Sequence, residues 1–289
     1  MLLQRIITAS ILVPLVVLAV YLLPVSYFTL LVGLVMVVAA WEWSSLIGLK
    51  KLSNKVLFQI LLILPMLGIY FWTHILELLA QITDYPDIRY YSGALEWLVI
   101  APVLFWVVMM FLIKNASDAM LGLQLKTRYK ALAGWFILLA AWMFLYRMRA
   151  FYGADMTMYF LVLIWAADIS AYFVGKKFGE TKLAPTISPG KTVAGFYGAL
   201  GSGALCAIVL SLIFGFNFLI GADFLLLSVL TVLISIYGDL FLSLVKRQQG
   251  VKDSGFILPG HGGLLDRIDS LIAAIPLFYA GIILIRGQF

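Results

Sequence analysis

The sequence predicts an all-α integral membrane protein, a polytopic bundle of about nine transmembrane helices with its N-terminus in the cytoplasm. Three observations favour this fold class. Hydrophobic residues make up 64% of the 289 residues and charged residues only 12%, whereas about 25% of the residues in soluble domains are charged. The apolar residues form separate runs of roughly 20, the length that crosses a hydrocarbon core about 30 Å thick. Basic residues are also distributed unequally between alternate loops.

The apolar runs define the expected helices in chain order. The first run follows Arg5 and exceeds the apolar core of a signal peptide, so we expect it to be retained as a helix. The last run follows a polar stretch that ends near residue 270. Together the runs predict a single transmembrane domain over residues 1–289. The expected spans are 6–23, 27–46, 56–79, 96–113, 131–148, 157–175, 193–214, 220–241 and 271–286.

The basic residues predict the orientation. Nine spans put the two termini on opposite sides, and a cytoplasmic N-terminus places 16 of the 20 lysines and arginines in cytoplasmic segments, as the positive-inside rule requires. The same distribution accounts for the net charge of +6 without a nucleic-acid partner. The single cysteine, Cys206, lies in an apolar run, so a disulfide framework is excluded.

Two regions on the expected cytoplasmic side, 165–192 and 235–270, carry the candidate site. Asp168 in WAADISAYFVG and Asp239 in ISIYGDLFLSLVKR each lie near the cytoplasmic end of an expected helix. An ionisable side chain at membrane depth costs about 2.5 to 3.5 kcal/mol on insertion scales, so both aspartates are candidate functional residues. The alternative is that each carboxylate reaches the membrane interface or pairs with a nearby lysine.

The stretch VKDSGFILPGHGGLLDRIDS, residues 251–270, holds a second group of polar residues. Asp266 and Asp269 lie three residues apart and share one face of a helix. Oxygen ligands without a histidine or cysteine cluster favour Mg2+; the alternative is that the carboxylates complement a helix N-terminus. Carboxylates together with cations and exposed backbone amides indicate a phosphate-handling site. The cations are Lys246, Arg247, Lys252 and Arg267, and the glycines that would allow close approach of a ligand are Gly255, Gly260, Gly262 and Gly263.

SPGKT, residues 188–192, resembles the end of a phosphate-binding loop, but Pro185 occupies the position of the first glycine and we expect no strand before it. A P-loop is therefore excluded. Two interpretations stay open for Lys191 at the start of the next helix: it binds phosphate, or it is a lysine at the membrane interface. His261 has three open interpretations: a base, a phosphate donor or a residue that caps a turn.

The polar residues and glycines between Ser243 and Asp269 resemble, in their order along the chain, the signature of the phosphatidate cytidylyltransferases, also called CDP-diacylglycerol synthases. The elements DISAYFVG, SPGKT and RIITASILVPLV are also similar to those of the family, so the resemblance covers the whole chain. The residues that match the signature are Ser243, Lys246, Arg247, Lys252, Asp253, Gly255, Ile257 (or Leu258), Pro259, His261, Gly262, Gly263, Asp266, Arg267 and Asp269.

The resemblance implies an Mg2+-dependent reaction of CTP with phosphatidic acid that gives CDP-diacylglycerol and pyrophosphate. It implies a site on the cytoplasmic face of a bacterial inner membrane, with membrane lipids as partners and a homodimer as an open expectation. Asp239 and Asp266 would bind Mg2+, alone or with a second cation. The expected catalytic residues are Asp239, Asp266, Asp269, Lys246, Lys252 and His261. The expected substrate-binding residues are Asp168, Ser188, Lys191, Thr192, Ser243, Arg247, Asp253 and Arg267.

One position departs from the family pattern. The family commonly has glutamate directly before the signature serine, and this chain has Leu242 there. Two other function classes stay open at this point. One is a CTP-dependent kinase of polyprenols or other lipids, which releases CDP, and the other is an ion-coupled transporter with Asp168 and Asp239 in the ion path.

Overall fold

The computed structural model describes residues 2–123, 125–257 and 262–286 as a bundle of helices. The first half contains α1 (Leu2–Leu22), α2 (Val25–Leu46), α3 (Leu52–Tyr70), α4 (Trp72–Thr83), a 3-10 helix (Pro86–Gly93), α5 (Ala94–Trp97) and α6 (Ile100–Gly122). The second half contains α7 (Thr127–Phe178), β1 (Lys182–Ala184), β2 (Ser188–Thr192), α8 (Val193–Phe214), α9 (Phe218–Gln248) and α10 (Leu265–Arg286).

Seven of the described segments are long and apolar enough to cross a membrane by length and composition. Their outward surfaces expose many large apolar side chains, which suits contact with lipid tails. The protein is therefore an α-helical membrane protein. The number nine and the orientation remain predictions.

The helix α7 has 52 residues, about 78 Å at 1.5 Å per residue, and so exceeds one membrane thickness. It is broken at Gly153, whose φ of +83° and ψ of −177° lie outside the helical region. Only glycine adopts this conformation readily. The expected spans 131–148 and 157–175 fall on the two arms of this broken helix. By contrast, the expected span 56–79 is interrupted at Phe71, where α3 ends and α4 begins.

The structure corrects one expectation about the segment 180–192. We expected no strand before SPGKT, but β1 and β2 form a small antiparallel hairpin with Lys182 paired to Thr192. The turn between the strands contains Pro185, which favours a turn, and Ile187 anchors the hairpin because its side chain is fully buried. Lys191 therefore lies in a strand, one residue before the cap of α8.

Small residues let the second-half helices approach closely. A Cβ at Gly198 would lie 2.7 Å from Val174 of α7, and one at Gly203 would lie 3.0 Å from Val232 of α9. Glycines at such contacts let membrane helices approach closely. A Cβ at Gly238 of α9 would overlap Ala273 of α10. The helices α7, α8, α9 and α10 thus form the packed half of the bundle that carries the candidate site.

A partly buried polar network joins α5, α7 and α10. The Arg147 guanidinium on α7 forms an ion pair with Glu96 of α5. Glu96 also accepts a hydrogen bond of 2.7 Å from the Tyr279 hydroxyl on α10. Tyr279 lies ten residues beyond Asp269 on the same helix, roughly 15 Å along its axis. The network therefore stabilises the bundle away from the candidate site.

Candidate active site

The first half of the site is the contact between Lys191 and Asp239. The hairpin brings Lys191 Nζ to 2.7 Å from Asp239 Oδ2, and the two side chains remain 25% and 31% exposed. Lys191 Nζ also donates to the Ile236 carbonyl at 3.3 Å. The Ser243 hydroxyl, one turn along α9, donates to Asp239 Oδ1 at 3.2 Å. The expected residues Lys191, Asp239 and Ser243 thus meet at one partly open position.

The second half centres on Asp266 in the first turn of α10. Lys246 Nζ lies 2.7 Å from Asp266 Oδ1, and both side chains are nearly buried. Asp266 Oδ2 accepts the backbone N–H groups of Ser254 at 2.8 Å and Gly263 at 3.1 Å. This carboxylate therefore fixes the loop before α10 as well as Lys246.

Electrostatics link the two halves, because the charge of Lys246 in the second half also acts on Asp239 in the first. Asp168 of α7, Asp239 of α9 and Asp269 of α10 interact with one another as like charges, and Lys191 interacts with all three as a compensating cation. Arg267 also lies within electrostatic range of Asp168. Three carboxylates from three helices within electrostatic range of one another repel, and a nearby cation such as Lys191 offsets that repulsion.

The remaining expected residues lie around this centre in different settings. Arg247 is exposed, and its Nε donates to the Ile187 carbonyl of the hairpin at 3.2 Å. Lys252 and Asp253 are exposed in the loop after α9. Ser188 begins β2 and is partly buried. His261 lies outside the described residues.

Thr192 has a structural contact that the sequence did not reveal. Its buried hydroxyl accepts the Gly195 N–H at 3.1 Å and so caps α8. A Cβ at Gly175 would lie 2.8 Å from this hydroxyl, and one at Gly179 would lie 2.6 Å from it. The side chain therefore joins the hairpin to α7 and α8, and a substrate contact by Thr192 remains a prediction.

Leu242, the position that departs from the family pattern, is buried. It lines a small cavity together with Trp43, Trp106, Leu265 and Asp269, and only 3% of its surface is exposed. A leucine in this setting packs against aromatic rings and offers no oxygen to a cation. Asp239 and Ser243 are then the polar groups that this turn of α9 supplies.

Sequence reasoning missed Glu42 on α2. This glutamate is 3% exposed and accepts hydrogen bonds from Leu264 N, Leu265 N and the Ser254 hydroxyl. A signal was present, because a charged residue within the apolar run 27–46 carries the same insertion cost of about 2.5 to 3.5 kcal/mol as the aspartates. The glycines of the loop also gain a new interpretation. A Cβ at Gly255 would lie 2.5 Å from Glu42 and one at Gly263 would lie 2.6 Å from it, so these two glycines accommodate Glu42.

The donor set fits a hard cation that completes its shell with non-protein ligands. No group of three or more Asp, Glu, His or Cys side chains in the described part of the chain is arranged to hold a metal ion. Mg2+ is usually held by one or two carboxylates, with substrate phosphates and water in the other positions. Asp239 and Asp266 each offer a carboxylate beside a lysine, and Mg2+ binding by the two together remains a prediction.

Comparison with known proteins gives a consistent family. The sequence pattern described as the cytidylyltransferase family matches residues 3–285. The chain is 39% identical over 282 residues to the phosphatidate cytidylyltransferase of Pseudomonas aeruginosa, which covers 97% of this chain and 96% of that protein. It is 36% identical to the Haemophilus influenzae protein of the same name, in an alignment that covers 96% of this chain and 97% of that protein. The Bacillus subtilis protein of that name is 46% identical over 131 residues, 44% of this chain and 47% of the relative.

Proposed function

We propose, because this chain belongs to the cytidylyltransferase family, that it transfers CMP from CTP to phosphatidic acid and releases pyrophosphate. The observation that carries the proposal is the pairing of Lys191 with Asp239 and of Lys246 with Asp266 beside Asp269. These two contacts pair a lysine of the hairpin with a carboxylate of α9, and a lysine of α9 with a carboxylate of α10. Such a combination suits two phosphate-bearing substrates and a metal ion.

The proposed reaction depends on the positioning of the two substrates more than on proton transfer. A phosphate monoester carries a charge of about −1.5 to −2 at neutral pH, so its oxygen is already a nucleophile. That oxygen forms a bond to the α-phosphorus of CTP, the bond between this phosphorus and the α–β bridging oxygen breaks, and pyrophosphate leaves with the electron pair. The chain must hold the two phosphates in line and offset the negative charge.

Different residues would bind the metal ion and the phosphates. Asp239 and Asp266 would hold Mg2+, with Asp269 close to Asp239. When bound, Mg2+ supplies charge neutralisation on the reacting and leaving phosphates. Lys191 and Lys246 lie close enough to those aspartates to contact phosphates beside the ion. Arg247, Lys252 and Arg267 would bind further phosphate oxygens of CTP or of the lipid, and Asp168 would orient Lys191 or join the ligand set.

The membrane arrangement follows from the same proposal. We infer a bacterial inner membrane, nine spans and a cytoplasmic N-terminus, since this orientation exposes the lysine-rich loops and the site to cytoplasmic CTP. The break at Gly153 supports the count because it divides α7 into two arms, each long enough for one span. Phosphatidic acid would then reach the site from the inner leaflet with its acyl chains still in the bilayer.

The test is an assay of the purified protein with phosphatidic acid and CTP labelled in the α-phosphate, with Mg2+ varied. We expect label in the lipid, release of pyrophosphate and no turnover in EDTA. Asp266→Asn should reduce the rate at least about 100-fold, as the loss of an electrostatic catalytic group usually does. Asp118→Asn, an exposed aspartate on α6, is the matched control and should retain the wild-type rate.

Other outcomes would contradict the proposal in defined ways. Release of CDP with phosphate transferred to a lipid alcohol would establish the kinase alternative. Ion flux in proteoliposomes without nucleotide consumption would establish the transporter. Full activity of Asp266→Asn would remove Asp266 from the metal site.

A further inference from the structure

Glu42 is a buried carboxylate far along the chain from the proposed reaction site. It lies on α2 with 3% of its surface exposed. A buried charge is stable only when hydrogen-bond donors or opposite charges compensate it. The described contacts of the Glu42 carboxylate are hydrogen bonds from two N–H groups and one hydroxyl, and these supply compensation.

Those hydrogen bonds all come from the polypeptide that leads into α10. The Leu264 N–H donates to Glu42 Oε1 at 2.9 Å. The Leu265 N–H donates to Oε2 at 2.8 Å, and the Ser254 hydroxyl donates to the same oxygen at 3.2 Å. Leu265 is the first residue of α10. Glu42 therefore satisfies N–H groups at the start of that helix, where a negative charge also complements the helix dipole.

Asp266 binds the same short segments through other donors. Its Oδ2 atom accepts the N–H groups of Ser254 and Gly263. Ser254 thus donates its backbone N–H to Asp266 and its hydroxyl to Glu42. The N–H of Gly263 bonds to Asp266, and those of the next two residues bond to Glu42. Residues 254 and 263–265 are thus hydrogen-bonded by the two carboxylates together.

Steric contacts strengthen this arrangement. Gly255 and Gly263 face Glu42 so closely that any side chain there would press on its carboxylate. The loop therefore fits around Glu42 as a preformed support. A support of this kind fixes the orientation of the residue that contacts a metal or substrate.

We propose that Glu42 is a positioning residue that holds the start of α10 so that Asp266 faces the reacting phosphates. The proposal rests on the proposed function for its catalytic meaning. Glu42 itself contacts no substrate; it acts through Leu264, Leu265 and Ser254. The α2 helix thereby becomes part of the active-site architecture.

The test compares Glu42→Gln with Glu77→Gln, a matched change at an exposed glutamate that pairs with Arg89. The amide introduced by Glu42→Gln would turn an N–H donor toward one of the α10 amides in place of an acceptor. We expect kcat to fall and the half-saturating Mg2+ concentration to rise, each by about 10- to 100-fold, as for outer-shell partners of metal ligands. The KM for phosphatidic acid should stay at the wild-type value.

Hydrogen exchange provides a readout that needs neither metal nor turnover. Without Mg2+ and substrates, the amides of residues 262–268 should exchange faster in Glu42→Gln than in wild type, and Glu77→Gln should leave them unchanged. If Glu42→Gln does not fold, Glu42→Asp replaces it: the charge stays but the shorter side chain cannot reach all three donors, so both readouts should shift in the same direction.

Wild-type kinetics together with wild-type exchange in either variant would overturn the proposal. So would equal changes in Glu77→Gln, because the effect would then be general. A wild-type protein that forms no CDP-lipid would instead contradict the proposed function. The exchange comparison would still decide whether Glu42 holds the backbone next to Asp266.

Discussion

Two lysines at the site each contact one aspartate, but their surroundings differ. Lys246 and Asp266 are almost buried, whereas Lys191 and Asp239 remain about a quarter to a third exposed. A buried ion pair that loses one partner leaves the other charge uncompensated. Lys191 is the more accessible of the two lysines and is therefore better suited to contact an incoming phosphate.

Replacing Lys191 by methionine should reduce the initial rate roughly 100-fold, because a charge that stabilises the developing negative charge is lost. Lys182→Met is the matched control, since Lys182 is an exposed lysine of the same hairpin. Steady-state kinetics with varied CTP measure both. A Lys191→Met protein as active as Lys182→Met would show that Lys191 only neutralises Asp239.

At the scale of the helices, the contact between α9 and α10 sets the spacing of the site aspartates. Gly238 directly precedes Asp239, and a Cβ at this glycine would lie 2.9 Å from the Asp269 carbonyl and would overlap Ala273. The two helices can approach this closely only because position 238 has no side chain. Their separation therefore fixes how far Asp239 lies from Asp269.

Gly238→Ala should lower both the stability and the rate. Overpacking typically costs about 1 to 3 kcal/mol, and the added methyl group would also push Asp239 away from Asp269. Gly201→Ala in α8 is the control, because a Cβ there meets no atom within 4 Å. Thermal unfolding in detergent and initial rates measure the two effects. Equal behaviour of the two alanine variants would contradict this account of helix spacing.

At the scale of the whole molecule, the orientation across the membrane can be tested by labelling. We expect Ser53→Cys, in the first turn of α3, to react with a membrane-impermeant thiol reagent only after the inner membrane is opened. Ser92→Cys, in the 3-10 helix, should react in cells whose outer membrane alone is permeable. Both positions are exposed, and Cys206→Ser removes the native thiol beforehand. The reverse pattern of labelling would contradict the proposed orientation.

The sequence predicted the class of fold and proposed most of the residues of the candidate site. Composition and run length were sufficient for a helical membrane protein, because lipid leaves few alternatives to apolar helices. The cost of an ionisable side chain at membrane depth identified Asp168 and Asp239 as candidates. The hairpin before α8 was missed because its strands have only three and five residues, too few to establish an alternation.

The pairings Lys191 with Asp239 and Lys246 with Asp266 depend on tertiary packing, so spacing alone could not provide them. Glu42 was missed because its partners lie in a distant segment.

The distance along the chain between Glu42 and its partners has a consequence for biosynthesis. The three donors follow Glu42 by 212, 222 and 223 residues. At about 5 to 20 residues per second, a ribosome needs roughly 10 to 45 s to make that stretch. During this interval α2 enters the membrane with a carboxylate that lacks all three donors. A nascent chain that stops before residue 254 never provides these donors. The hydrogen bonding of Glu42 on α2 therefore depends on translation of nearly the whole protein.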